Sequence, residues 1–450
     1  MRTLLGWTAV LAATVGLAAC GGSSGGSSSS GSPASAAQTD NAKPVTITFW
    51  SGYTSREKGV FDSVLKDFTK AHPNIKVKSV GGINDDKIVQ AIRGGNGPDV
   101  ALSFQTDYLG NYCGTGAWID LKPYIARDKV DLSQIPAPVR AFSEFNGKRC
   151  AMPALADVYG LYYNKKLFRQ AGITAPPKTT SELTADAKKL TQRNPDGSLK
   201  VVGFNPTFGW YEMVHAHAAP SFGAKWTDAQ GKSILATDPG WARMLRWQKQ
   251  LVDYYGFDNL QRFKSRAGDE WAASNAFETG KVAMNIDGEY RTAFIAKEHP
   301  ELDYGTAPMP VDDEHPELYG SGYVVGNTLG IPRTSKHQAQ AWELIKYLST
   351  DPAALTKLSN GLRNVPTTTS SLSDPALKAN PQFKTFLKIF TNPNTSTTPI
   401  TIIGAANQEL FQTFLQKWQS GHVTNLEDGL KSVDKQIEAQ MANATAGQAP

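Results

Sequence analysis

Apolar and polar positions alternate in two different rhythms along this chain. Val45 to Trp50 is a β-rich run, and Ile75 to Val80 alternates like a strand. Between them, Arg56 to Ala71 carries apolar residues at Val60, Val64, Leu65 and Phe68, the spacing of one helix face. Asp85 to Arg93 predicts a short helix that Gly94-Gly95-Asn96-Gly97-Pro98 breaks. Asp99 to Leu102 then reads as a buried strand. This β-α-β-α-β order predicts a parallel, doubly wound α/β sheet, in which ligands bind beyond the carboxyl ends of the strands. The segments just past strands one and three hold Trp50, Tyr53, Phe104, Gln105 and Thr106. They are the first candidate binding residues, because aromatics mixed with small polar groups suit a ligand pocket.

The N-terminus follows neither rhythm. Met1-Arg2 is a positive start, and Leu4 to Ala19 is apolar without a charge, too short to span a bilayer comfortably. Leu17-Ala18-Ala19-Cys20 resembles a bacterial lipobox. Residues 1–19 are therefore expected to be a lipoprotein signal peptide, with Cys20 lipidated. Residues 20–43 are expected to be a flexible Gly/Ser tether. The expected location is the outer face of the cell membrane. Gly21 to Gly25 matches Gly-x-Ser-x-Gly, but no strand precedes it and no helix follows, so it is no nucleophile elbow.

Composition narrows the function classes. The chain has 450 residues and a net charge of only +5, with both signs spread throughout, so no basic patch implies nucleic acid. Beyond Cys20 only Cys113 and Cys150 remain, and in an exported chain two cysteines read as one disulfide. Cys113 falls in a helical apolar pattern and Cys150 in a predicted strand, Gly147 to Met152. The histidines show no metal spacing beyond His215-x-His217, whose side chains point to different faces of a helix. No cofactor is expected: Gly231-Lys232-Ser233 lacks the leading glycine of a P-loop, and the glycines at 320 and 322 fail the dinucleotide spacing.

Several motifs in order carry a resemblance. Asn146-Gly-Lys-Arg-Cys-Ala-Met-Pro153, Leu161-Tyr-Tyr-Asn-Lys-Lys-Leu-Phe168 and Ala175-Pro-Pro-Lys-Thr-Thr come first. Phe277-Glu-Thr-Gly-Lys-Val-Ala-Met-Asn-Ile-Asp-Gly-Glu-Tyr290, Tyr304 to Pro310 and Asn364-Val-Pro366 follow. Together, over about residues 44 to 420, they resemble the bacterial extracellular solute-binding family 1, the carbohydrate-binding proteins of ABC importers, to which maltose-binding protein belongs. The resemblance implies a two-lobe periplasmic-binding-protein-like fold, each lobe a mainly parallel sheet flanked by helices. A three-strand hinge would join the lobes, near 154–158, 308–316 and 363–367, with the ligand cleft between them. Residues 44–155 plus 317–365 would form the N-terminal lobe, and 156–316 plus 366–450 the C-terminal lobe. It implies a monomer that is not an enzyme, a saccharide ligand and ABC permease subunits as partners.

The resemblance also assigns residues. Asp157 falls where maltose-binding protein has a ligand-binding carboxylate, and Trp210 where relatives carry a stacking aromatic. Tyr290 takes the family's Trp position after Gly288; Asp287 and Glu289, which flank that glycine, could accept sugar hydroxyls. Gly322 and Tyr323 would bring backbone N–H groups to the cleft floor. Arg363, at the third crossing, could reach the ligand. Trp226, Trp241, Trp247, Trp271, Trp342 and Trp418 read as packing residues. Two other functions fit the same residues less well. One is the same fold binding a glycerophosphodiester, polyol or other non-sugar metabolite, with Arg363 as the anchor. The other is an exported glycosidase using two acids from Asp157, Asp287 and Glu289.

Overall fold

The computed structural model of the chain describes residues 43–446. The expected signal peptide, Cys20 and nearly all of the tether lie outside the described residues. Strand β1 (Val45–Trp50), helix α1 (Ser55–Ala71), β2 (Ile75–Val80), helix α2 (Asp85–Arg93) and β3 (Val100–Ser103) follow the predicted order, with ends shifted by at most one residue. Helix α1 buries Phe61, Val64, Leu65 and Phe68 on one face. Helix α2 starts where the Asn84 side chain accepts from the Lys87 N–H; Asp85 and Asp86 open it and Arg93 closes it, matching the helix dipole at both ends.

The remaining strands are β4 (Met152–Asn164), β5 (Gln192–Arg193), β6 (Leu199–Phe204), β7 (Val282–Gly288), β8 (Tyr304–Ala307), β9 (Val324–Gly330) and β10 (Val365–Pro366). They join one ten-stranded sheet in the order β2-β1-β3-β9-β4-β7-β6-β5, with β8 and β10 also on β4. Pairing is parallel within β1–β2–β3 and between β6 and β7. Around β4 it is antiparallel, to β7, β8, β9 and β10. The parallel expectation therefore holds for β1–β2–β3 and for β6–β7, whereas the centre around β4 and the terminal β5–β6 pair are antiparallel.

Strand β4 explains how one sheet serves two lobes. It runs for 13 residues and only Asp157 and Tyr163 along it are not buried. Its first half, through Val158, lies in a core with Ile47, Phe61, Leu102, Trp342 and Leu358. Tyr159 and Leu161 lie in a second core with Phe204, Trp241, Met284 and Phe411. Up to Val158 the strand thus serves one core, and beyond it both, since Tyr162 returns to the first; Asp157 sits where the second core begins. Residues 366–450, expected as one piece of the C-terminal lobe, divide between the cores. Phe383, Phe386, Ile389 and Phe390 join the first, whereas Phe411 to Ile437 join the second.

Cys113 and Cys150 form a disulfide with Cα atoms 5.6 Å apart. Cys113 is in helix α3 (Leu109–Gly114), as expected. Cys150 is not in a strand: β4 begins two residues later, and Cys150 lies in the extended approach to it. Both sulfurs belong to a small third core around Tyr112 and Trp118, whose rings stack 4.1 Å apart. No helix among the described residues is long and apolar enough to cross a membrane.

Candidate functional site

The carboxyl ends of β1 and β3 open onto a cavity of about 650 Å³. Gly52 and Tyr53 line it from beyond β1, and Phe104 and Gln105 from beyond β3. A side chain at Gly52 would collide with the Phe104 ring, its Cβ 1.9 Å from the nearest ring carbon, so only glycine lets that ring lie over the strand end. Tyr53 meets Phe104 edge-on at 4.6 Å and donates its hydroxyl to Asn327 Oδ1 of β9 at 2.8 Å. The opposite wall comes from the other lobe: Tyr159 of β4, then Glu212, Trp271 and Tyr290. Asp157 and Asn364 lie at the passage between the cores, and Glu57 projects from the first turn of α1.

Hydrogen bonds fix these groups. Tyr290 donates its hydroxyl to Glu212 Oε1 at 2.6 Å. Its ring folds back over Gly288, where any Cβ would strike it at 2.2 Å, which is why a glycine precedes it by two. The Asn364 amide donates to Asp157 Oδ1 and, at 3.1 Å, to Glu289 Oε1. The Val158 N–H donates to Glu289 Oε2 at 2.6 Å. One amide therefore braces two carboxylates, and the backbone of β4 holds one of them. Tyr159 stacks on His217 at 3.6 Å. Its hydroxyl has no hydrogen-bond partner among the described residues, although the residue is only 7% exposed.

Burial dominates the electrostatics. Desolvation pushes the Asp157 carboxyl up to about 7, against the Asn364 hydrogen bond that favours its charged form. Glu289 is raised well above its usual value, by burial and then by the neighbouring Asp157 charge. Asp287 is raised to about 7 by burial, with Arg291 opposing. Burial and then Glu212 raise Glu270 to about 9. Burial likewise keeps His217 below its usual value. Among the described residues no lysine or arginine lines this cavity. No group of histidine, cysteine, aspartate or glutamate there could hold a metal ion.

A second cavity, of about 710 Å³, shares Phe104, Gln105, Tyr159 and Glu212 with the first. It adds Thr106, His217, Tyr323 and the helix Ala406–Gln419 through Gln408 and Gln412.

Of the residues singled out from the sequence, Tyr53, Phe104, Gln105, Asp157 and Tyr290 line the first cavity, and Thr106 and Tyr323 the second. The others do not reach either wall. Trp50 is half-buried and packs on the third core. Trp210 is 2% exposed and packs on Tyr211 and Phe263, because its turn is folded under by the Trp210–Met213 bridge. Asp287 is spent on Arg291 Nε at 2.7 Å and on the Gly288 N–H. Gly288 turns its carbonyl to the Tyr162 hydroxyl. Glu289 lies behind the wall, under Asn364. The N–H of Gly322 is taken by the Thr395 hydroxyl rather than presented to the cleft. Arg363 takes a left-handed conformation at the end of Pro352–Leu362, lies over Phe383 and donates to the Lys378 carbonyl, away from the cavity.

Wall residues Glu57, Tyr159, Glu212, Trp271, Asn327 and Asn364 were not among the chosen candidates. Trp271 is 55% exposed, against the expectation that it packs. Its sequence neighbours Asp269, Glu270 and Ser274 are polar, a signal that no core surrounds it. Asn327, an amide inside the apolar run Val324 to Leu329, carried a comparable signal.

Two α/β cores linked by a shared strand, with a polar and aromatic cavity at the link, define a two-lobe solute-binding protein. A model of the bacterial extracellular solute-binding protein family matches residues 54–355, and the chain belongs to that family. A putative binding protein of Brucella abortus is 29% identical over 212 residues, 46% of this chain and 48% of that protein. This match thus spans about half the length of that relative. The maltotriose-binding protein of Pyrococcus abyssi is 22% identical over 74% of this chain and 69% of its own. Among solved structures, CpMnBP1 with mannotriose bound superposes with a TM-score of 0.76 and 29% identity, covering 87% of this chain and 99% of that one.

Proposed function

We propose that this protein binds a sugar or oligosaccharide in the cavity between its lobes and delivers it to the membrane subunits of an ABC importer. One observation carries the reading. The walls alternate aromatic rings (Tyr53, Tyr159, Trp271, Tyr290) with hydrogen-bonding carboxylates and amides, without a lysine or arginine among the described residues. Pyranose rings offer apolar faces for stacking and hydroxyls for bidentate acceptors, and such a wall suits both. The neighbouring cavity, with four shared wall residues, gives room for more than one ring. The family membership and the named saccharide-binding relatives support the same reading.

The competing readings lack their anchors. A phosphodiester needs a cation in the cavity, and Arg363 is turned to Phe383 and Lys378. Of the three acids that a glycosidase was expected to use, only Asp157 lines the cavity, and Asp287 and Glu289 are committed behind the wall. The protein is read as a non-catalytic monomer, exported and held at the outer membrane face by lipidated Cys20. Cys20→Ala is expected to release it in soluble form; continued membrane association would refute the anchor.

A thermal-shift array of mono- and oligosaccharides, polyols and glycerophosphodiesters tests the ligand class. Ligand at 100 times its Kd stabilises by about 2.7 kcal/mol, a shift easily read. Stabilisation by saccharides, insensitive to added salt, is expected. Stabilisation by phosphodiesters alone, weakened by salt, would overturn the reading.

A further inference from the structure

The charge around the cavity is one-sided. Glu57, Asp157 and Glu212 are in its wall, and Glu270, Asp287 and Glu289 lie directly behind. Two cations stand nearby: half-buried Arg56 is paired with Glu57 at 3.6 Å, and buried Arg291 is already engaged by Asp287 and Glu278 and by the Glu270 carbonyl. Neither lines either cavity. A neutral saccharide needs carboxylates as acceptors but brings no cation to Asp157 and Glu212, which have no ion pair among the described residues. Two features of the wall point to what would compensate it. The Tyr159 hydroxyl, on a residue only 7% exposed, has no partner among the described residues and is free to accept from a donor in the cavity. The rings of Tyr53, Tyr159, Tyr290 and the exposed Trp271 flank the carboxylates on several sides, the surroundings in which an ammonium group is held by ring faces as well as by charge. Trp271 and Tyr290 are 5.8 Å apart, so both rings border the space next to Glu212.

Resting on the saccharide reading above, we infer that the preferred ligand is an aminated saccharide, whose protonated amine sits among Glu212, Asp157 and the ring of Tyr159. The raised carboxyls around the cavity agree with this: burial, the first cause, favours their neutral forms, and among the described residues no lysine or arginine in the cavity wall plays the opposing role of favouring the charged ones. A ligand ammonium would take over that role, and a phosphate or a uronic acid would be rejected by the same charge.

Matched pairs test it: glucose with glucosamine, mannose with mannosamine, galactose with galactosamine, and cellobiose with the free-amine dimer of glucosamine. Each is titrated calorimetrically into the purified protein at low and at high salt. In at least one pair the amine is expected to bind at least tenfold tighter, with an advantage that shrinks as salt rises. The readout is the ratio of the two affinities. Glu212→Gln, verified as folded by its thermal transition, is expected to bring that ratio close to one, and Glu212→Asp to restore most of it. If the neutral sugar binds as well as or better than the amine in every pair that binds, the inference is overturned and the saccharide reading stands. If no sugar of either kind binds in these pairs or in the wider array, both fall.

Discussion

The segments around Trp210 and Trp271 look alike in composition and behave in opposite ways. Each brings a tryptophan to the lobe that carries the cavity's far wall, and each is followed by residues that line it or pack beside it. Trp210 is 2% exposed, wedged against Tyr211 and Phe263 with Lys264 over its ring. Trp271 is 55% exposed, its ring beside Tyr290 and Phe294 with the Arg291 guanidinium across its face. The difference follows from the company each keeps. Trp210 stands in Phe208-Gly-Trp-Tyr, whose apolar residues draw the turn into the core. Trp271 stands in Gly268-Asp-Glu-Trp-Ala-Ala-Ser-Asn, which has little to bury. Of these two tryptophans, only the one whose segment has no core to join keeps its ring open at the cavity.

The largest expected effect breaks the comparison at its buried end. Trp210→Ala removes a fully enclosed ring, and truncations of this kind cost about 3–5 kcal/mol. A large fall in Tm is expected, with ligand affinity nearly unchanged in the protein that remains folded. A loss of affinity without a loss of Tm would return Trp210 to the binding wall.

At the exposed end the signs reverse. Trp271→Ala deletes little packing, so Tm should hardly move. Truncating an aromatic anchor in an interface often costs about 2 kcal/mol or more of binding, which is roughly a thirtyfold rise in Kd. Calorimetry on the ligand found in the saccharide array checks it, and an unchanged Kd would make Trp271 a bystander at the cavity mouth.

This contrast also marks how far the sequence could be read. The β-α-β-α-β start was legible to within a residue, because both periodicities are strong and Gly94 to Pro98 punctuates them. The positions of Tyr53, Phe104 and Gln105 followed, since the ends of parallel strands define where a ligand can sit. Asp157 was legible as the one acid in an apolar strand. The rest depended on pairings distant in sequence. Nothing local shows that Arg291 claims Asp287, or that Asn364 reaches Glu289 and Asp157 across the hinge. The Glu212 carboxylate is met by the hydroxyl of Tyr290, 78 residues away. The antiparallel centre of the sheet escaped for the same reason: β9 and β10 return to β4 from far along the chain.

A smaller effect sharpens the comparison by asking what a wall residue costs the fold. Trp210 serves stability, whereas Asp157 is held at the cavity by its neighbours against its own solvation. Burial raises its carboxyl to about 7, above the usual value of 3.8, so the folded protein binds this proton more tightly than the unfolded chain does. The stability contributed by that protonated carboxyl is fully present below about pH 4 and is lost as pH rises through about 7. Asparagine, neutral at every pH, escapes the loss while keeping a similar shape. Asp157→Asn is therefore expected to raise Tm in ligand-free protein, slightly at pH 4 and by a growing margin up to about pH 7, with no further gain above. The same variant should bind ligand more weakly, by about 1.5–3 kcal/mol for a lost charge-assisted hydrogen bond. Melting curves of both proteins at intervals from pH 4 to pH 8 decide it. A gap in Tm that stays constant over this range would mean that Asp157 is ordinarily solvated, and that the wall of this cavity is no more costly to fold than the core around Trp210.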